Sequence, residues 1–207
     1  ALVIACNTAT AAAVESLRAA MPQLPLIGVE PAIKPAAASS QTQHVGVMAT
    51  RGTVESRRFR KLLSEHGQNV QFHVQACDGL EAAGEASEIE ALSARYISAL
   101  GQFGLKTGEM DTLVLGCTHY IFIKEELRAL LGPEVQLIDT GAPVARQTRR
   151  LLAQQQRLRP EPAQTPPDAC AQPHQIRLMT TGSLPSLQAA AQRWLQLPAS
   201  CCATVQV

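Results

Sequence analysis

The 207-residue chain is poor in aromatic side chains, with four Phe, two Tyr and one Trp. It has no basic run either, and its 18 Lys and Arg against 17 Asp and Glu leave a net charge of +1. Without a stacking platform or a basic stripe, nucleic acid is excluded as the main partner. No apolar run reaches the roughly twenty residues that a membrane-spanning helix needs. The six cysteines, Cys6, Cys77, Cys117, Cys170, Cys201 and Cys202, show no CxxC spacing, so no zinc or other metal site is indicated. A chain of this length, 46% hydrophobic and 17% charged, can bury a sizeable core without disulfide staples. A reducing, cytoplasmic setting is therefore expected.

What is present is an alternation of short apolar runs with amphipathic stretches. It predicts an α/β fold with a mainly parallel sheet. Strands are expected at Leu2–Ala5, Leu26–Val29, Val45–Ala49, Val70–Gln75, Thr112–Leu115, Val135–Ile138 and Ile176–Met179. The continuous apolar runs among them read as strands covered on both faces. Helices are expected at Thr8–Ala20, Val54–His66, Ser87–Leu100, Ile123–Leu131, from Gly141 and Pro143 through Leu152, and at Ser186–Leu195. Pro31 and Pro35 bracket a turn and a short helical piece. The Gln- and Pro-rich stretch 154–175 reads as a surface loop. Ala1 leads straight into the first strand, with no polar leader or signal peptide, so we expect a natural segment to precede it.

One unit occurs twice. An apolar strand ends in Cys6-Asn7-Thr8 before one helix, and another ends in Gly116-Cys117-Thr118-His119 before a second. A cysteine at a helix N-terminus meets unpaired backbone N–H groups and the positive end of the helix dipole, which favours thiolate. Open α/β sheets bind ligands beyond the carboxyl ends of their strands. Two such thiols suit acid/base work on opposite faces of one carbon. Cys77, Cys170, Cys201 and Cys202 read instead as small buried hydrophobes, with the vicinal pair Cys201-Cys202 incidental to a tail. Arg51 and the run Arg57-Arg58-Arg60-Lys61 read as a solvated helix face.

The strings CNTAT at Cys6–Thr10 and GCTHY at Gly116–Tyr120 resemble the two signature segments of the cofactor-independent amino-acid racemases, the glutamate racemases among them. ATRGTV at Ala49–Val54, CDGLEAAGE at Cys77–Glu85 and LIDTG at Leu137–Gly141 resemble three further family segments, and the likeness runs from Leu2 to about Leu195. The resemblance implies two similar three-layer α/β domains facing across a cleft. The first would comprise residues 1–42 and 141–207, and the second, inserted, residues 43–140. It further implies that a first strand with an Asp-Ser turn and a later Tyr-Gly segment are missing ahead of Ala1. The 207-residue chain alone is then expected to be inactive or poorly folded.

By the same resemblance, Cys117 removes the α-proton of L-glutamate and Cys6 returns one to give D-glutamate, with no cofactor and no metal. The product would feed peptidoglycan synthesis. Asn7, Thr8, Thr50, Thr53, Thr118 and His119 would bind substrate, and His119 would also tune Cys117. Glu85 would be the auxiliary acidic residue, with Glu81 and Glu88 close by in sequence. Helix capping is the alternative for Asn7, Thr8 and Thr118, as a capped turn is for Thr50 and Thr53. A racemase of aspartate or a hydantoin, a binding or regulatory module, and a thiol redox protein remain the competing functions. A homodimer is compatible with the resemblance, and neither nucleic acid nor membrane is expected as a partner.

Overall fold

In the computed structural model, residues 1–158 and 176–206 are described. They fall into two compact units, Ala1–Leu158 and Arg159–Val207. The loop expected over 154–175 lies outside the described residues from 159 onward, as does Cys170.

The first unit starts with β1 (Leu2–Ile4), α1 (Asn7–Ala20) and β2 (Leu26–Gly28). β1 and β2 pair in parallel, Leu2 opposite Leu26. Then come α2 (Ile33–Ser39), β3 (His44–Ala49), α3 (Arg51–Val54), α4 (Arg57–His66), β4 (Gln71–Ala76), α5 (Ala86–Leu100) and β5 (Thr112–Leu115). A 3₁₀ segment (Thr118–Ile123), α6 (Lys124–Leu131), β6 (Gln136–Ile138) and α7 (Gly141–Gln154) complete the unit.

β3 to β6 form one sheet in the order β4-β3-β5-β6, every pair parallel. Parallel neighbours require crossovers, and the helices of those crossovers cover both faces. Val45, Val47, Phe59 and Val114 pack with Ile33 and Ala36 on the face under α2 and α4. Met48, Leu113 and Leu115 pack with Tyr96, Leu100, Tyr120 and Leu127 on the face under α5 and α6. Alternate residues of β3 thus serve opposite layers, as the period-2 geometry of a strand dictates. Burying side chains of this size stabilises the fold by roughly 1.5–3 kcal/mol each.

Three sequence expectations change here. The single helix over Val54–His66 is broken into α3 and α4, because Ser56 Oγ accepts from Phe59 N and restarts the helix as an N-cap. Arg58 is not on a solvated face. It bridges to Glu15 at 2.8 Å and Glu30 at 2.5 Å, holding α4 against α1. β1 is not covered on both faces: Leu2 and Val3 are 37% and 38% exposed. Among the described residues, β2 is its one strand partner, so one edge and part of its faces meet no neighbouring strand.

In the second unit β7 (Leu178–Thr180) pairs in parallel with β8 (Cys202–Thr204), and α8 (Leu184–Leu195) connects them through a 3₁₀ turn (Ala199–Cys201). Ser183 caps α8 by accepting from Ser186 N. The strand expected at Ile176–Met179 is shifted to Leu178–Thr180 and is not buried, since Met179 is 60% exposed in a sheet that has two strands among the described residues. The vicinal cysteines do not form a loose tail. Cys201 is buried and Cys202 opens β8.

The turn into β3 is fixed by one carboxylate. Asp111, 5% exposed, accepts from Ser40 Oγ at 2.7 Å, Gln41 N at 2.5 Å, Thr42 N at 3.0 Å and Thr112 Oγ1 at 2.9 Å. Gln43 then takes a left-handed φ of 61° to enter the strand. Burial would raise the pKa of Asp111, but the hydrogen bonds outweigh it and hold the carboxyl below its ordinary value. A lowered folded-state pKa contributes stability above the unfolded value, and that contribution is lost as pH falls through the folded one. Asp111→Ala is therefore expected to destabilise the protein by about 1–3 kcal/mol at neutral pH, because the donors lose their acceptor. Urea melts of the two proteins should converge as pH drops below the ordinary carboxylate range. A gap that persists undiminished in acid would contradict the assignment.

Candidate active site

β3, β4 and β5 run in register and end together. Ala49 lies opposite Ala76, and Met48 opposite Leu115. Their next residues, Thr50-Arg51, Cys77-Asp78 and Gly116-Cys117, all emerge at one sheet edge. Gly116 has no room for a side chain there: a Cβ would stand 2.7 Å from Met48 O and 2.8 Å from Ala49 Cβ. Its absence lets the Cys117 turn lie close over the neighbouring strand.

The first cysteine unit is tied to this edge. Asn7 Nδ2 donates to Gly116 O at 2.8 Å, and Thr118 Oγ1 donates to Ala5 O at 3.1 Å, so each cysteine loop holds the other. Thr8, Thr50 and Thr53 form a closed triangle of hydroxyls, with Oγ1 separations of 2.8, 3.1 and 3.1 Å. Gly52 permits that approach, since a Cβ would sit 2.9 Å from Thr8 Cγ2.

Together these residues enclose a cavity of about 360 Å³. Cys6, Asn7, Thr8, Thr50, Thr53, Cys117 and His119 line it, with Arg51, Gly52, Asp78, Glu81 and Gly116. Of the residues singled out from sequence, Thr118 lines an adjoining, more apolar cavity of about 250 Å³ instead. Glu85 lines neither cavity. It occupies the N-cap of α5 without a side-chain capping bond, and Glu81, one turn of chain earlier, stands in the wall. Sequence reasoning missed Asp78; Arg51, read as solvated, is 57% exposed and also lines the cavity. The signal that finds both is strand register, which places residues 51 and 78 two residues past the paired strand ends Ala49 and Ala76.

The two sulfurs differ in setting. Cys6 is the N-cap of α1, exposed, with Sγ 3.5 Å from Ala9 N. Cys117 precedes a 3₁₀ segment rather than an α-helix and makes no side-chain capping bond. Its thiol is not shifted toward thiolate. Burial pushes its pKa up, against the backbone N–H groups of His119 and Tyr120, and the charges of Glu81 and Cys6 push it further. The helix-terminus argument fails at Cys117 because desolvation of the thiolate outweighs the backbone donors. His119 Nδ1 lies 3.7 Å from Cys117 Sγ, within reach of its proton. Neither cysteine is in a disulfide.

Behind them, Cys77 is fully buried, and burial pushes its thiol up to about 12. Tyr120 OH donates to Cys77 O at 3.4 Å. At the mouth, Arg51 pairs with Asp78 through Nε and Nη2, and with Glu55 at 3.5 Å. Among the described residues no group of three or more His, Cys, Asp and Glu could hold a metal ion. Nor is any helix among them long and apolar enough to cross a membrane.

Parallel strands under helices and two cysteines in one cleft define the class. Residues 1–148 match the Asp/Glu/Hydantoin racemase family model, and the chain belongs to that family. Within it, the chain is 49% identical over 164 residues to a glutamate racemase of Ectopseudomonas mendocina, covering 79% of this chain and 62% of that protein. It is 46% identical over 171 residues to the glutamate racemase of Pseudomonas aeruginosa PAO1, covering 80% and 63%. The chain thus spans about three fifths of the length of these curated relatives. Its fold is similar to that of a glutamate racemase isoform of Bacillus anthracis, with a TM-score of 0.76 at 28% identity over 100% of this chain and 73% of that one. The Escherichia coli glutamate racemase, solved with L-glutamate and the activator UDP-MurNAc-ala, gives a TM-score of 0.63 at 27% identity over 90% and 69%.

The Glu81 charge acts directly on Cys117. Glu81→Gln should therefore lower the Cys117 pKa and move the pH profile of its alkylation by iodoacetamide to lower pH, followed peptide by peptide in a mass spectrometer. An unchanged profile would show that the Glu81 charge does not act on this thiol.

Proposed function

We propose that the protein interconverts L- and D-glutamate by a two-base, cofactor-independent reaction. The observation that carries the reading is that Cys6 and Cys117, from two different strand ends, line one cavity together with the hydroxyl groups of Thr8, Thr50 and Thr53. The hydroxyls of Thr8, Thr50 and Thr53 bond one another and can turn to a carboxylate that enters. Asn7, through Gly116 O, and Thr118, through Ala5 O, keep the two cysteine loops joined.

With L-glutamate bound, Cys117 thiolate takes the α-proton and the Cys6 thiol delivers one to the opposite face. The reverse reaction exchanges their roles. Cys117 must first lose its proton, and His119 Nδ1 is placed to accept it. A charge on Cys6 disfavours charge on Cys117. The auxiliary acidic role that the resemblance gives to Glu85 finds Glu81, not Glu85, in the cavity wall.

Residues 43–140 form an inserted domain in this reading, and 1–42 with 141–207 the other. In support, β3 to β6 pair only with one another among the described residues. The product, D-glutamate, is a building block of cell-wall peptide, and its use there places the reaction in the cytoplasm. A second reading, a racemase of aspartate or a hydantoin, has support in the breadth of the matched family.

In the two-base reaction, Cys6→Ala and Cys117→Ala each reduce racemisation by about 10²–10⁴-fold or more, measured by circular dichroism on either enantiomer. In D₂O, solvent deuterium should enter the product enantiomer and spare the recovered substrate. Normal turnover by either variant contradicts the two-base assignment. Turnover of aspartate with none of glutamate selects the second reading.

A further inference from the structure

Asp78 and Glu81 reach the cavity wall from the turn that leaves β4 after Ala76. Gly79 bends it with a left-handed φ of 83°, and Ala82 N donates back to Gly79 O at 3.1 Å. Two phenols hold the start of this turn from outside. Tyr96 OH, on α5, donates to Asp78 O at 2.7 Å, and Tyr120 OH donates to Cys77 O at 3.4 Å. They are the two tyrosines of the 207-residue chain, and both are buried, at 6% and 1% exposure. A buried phenol and its acceptor stay paired because leaving either without a partner costs more than the bond itself contributes. Both rings pack with Met48, Leu113 and Leu115 under α5 and α6. Their hydroxyls are therefore fixed to the core, while the carbonyls they hold belong to the cavity wall.

Several ionisable groups surround Cys117. His119 Nδ1 is 3.7 Å away on its own segment, and Cys6 faces it from the N-cap of α1. Glu81 stands in the wall, as does Asp78, which is paired with Arg51. The Tyr120 phenol lies close enough for the Cys117 charge to act on it. Burial holds the Cys117 thiol up, and the Glu81 charge adds to that. A carboxylate is better hydrated when it turns outward, so Glu81 keeps its place only as far as the turn beneath it is held.

We propose that Tyr96 is a positioning residue: its hydroxyl, seconded by that of Tyr120, pins the turn 77–82 to the core and so keeps Glu81 in the wall that Cys117 shares. The effect is on the thiol itself and is read without turnover, so it does not depend on the racemase reading. Where Cys117 is the base of that reaction, Tyr96 sets the pH at which the base becomes available.

Alkylation of Cys117 by iodoacetamide across a range of pH tests this, in the unaltered full chain, Tyr96→Phe, Glu81→Gln and the double variant. Tyr96→Phe keeps the ring in the core and removes the donor to Asp78 O. It should move the Cys117 midpoint to lower pH, in the direction of Glu81→Gln and by no more than that variant does. Added to Glu81→Gln, it should move the midpoint no further, because the charge it positions is gone. Cys77 is fully buried, reports on the fold in the same digest and should stay unmodified in every variant. A Tyr96→Phe midpoint that stays in place or rises overturns the proposal. So does a shift of equal size with and without Glu81, since the hydroxyl then acts by another route. Alkylation of Cys77 in Tyr96→Phe would make the hydroxyl a prop for the whole core, and the proposal falls in that case too. A protein that turns over another amino acid and not glutamate overturns the substrate reading and leaves these thiol profiles unchanged.

Discussion

Everything at the cavity depends on three parallel strands that end at the same level. Backbone pairing between β3, β4 and β5 is a repeating constraint that tolerates no local slippage without moving every side chain to the opposite face. Because it holds, chain segments separated by many tens of residues deliver Thr50, Asp78 and Cys117 to one edge. The hydroxyl triangle, the glycine-permitted crossing at Gly116 and the Asn7 bridge are refinements on that edge. Helices on both faces keep the strands dry, and the strand ends are where backbone becomes available to a ligand.

The sequence was legible where pattern and chemistry coincide. Buried strands such as Val45–Ala49 and Thr112–Leu115 declare themselves by apolar continuity, and the α5 face by Ile89, Leu92, Tyr96 and Leu100 at helical spacing. The cysteine units declare themselves by repetition. Less legible were features set by a single side chain. Ser56 divides a helix that hydrophobic periodicity would continue, and its hydroxyl is as small a signal as a sequence can carry. Arg58 sits in a basic run, and only the opposing positions of Glu15 and Glu30 make it a bridge. Exposure of β1 and β7 depends on how many strands stand beside them, which no local pattern encodes.

At the site, residue identity was easier to read than environment. Two cysteines before two helical segments look equivalent, yet one caps an α-helix in the open and the other precedes a 3₁₀ turn in partial burial. Desolvation is a property of the assembled surroundings, so the direction of the Cys117 shift could not follow from its neighbours in sequence. The placement of Glu81 in the wall, with Glu85 at the start of α5, is of the same kind. A turn of a few residues chooses which carboxylate faces inward, and spacing along the chain is silent on that choice.

Cys77 occupies the same position on its strand end as Cys117 does on the next but one, and it is sealed from water with its Sγ donating to Gln75 O at 3.4 Å. Three sulfurs therefore form a graded series across a short stretch of one molecule: open, half-covered and closed. An electrophile or oxidant diffusing in meets them in that order, because its attack requires access to the sulfur. Damage to such a protein would begin at Cys6 and spare the scaffold.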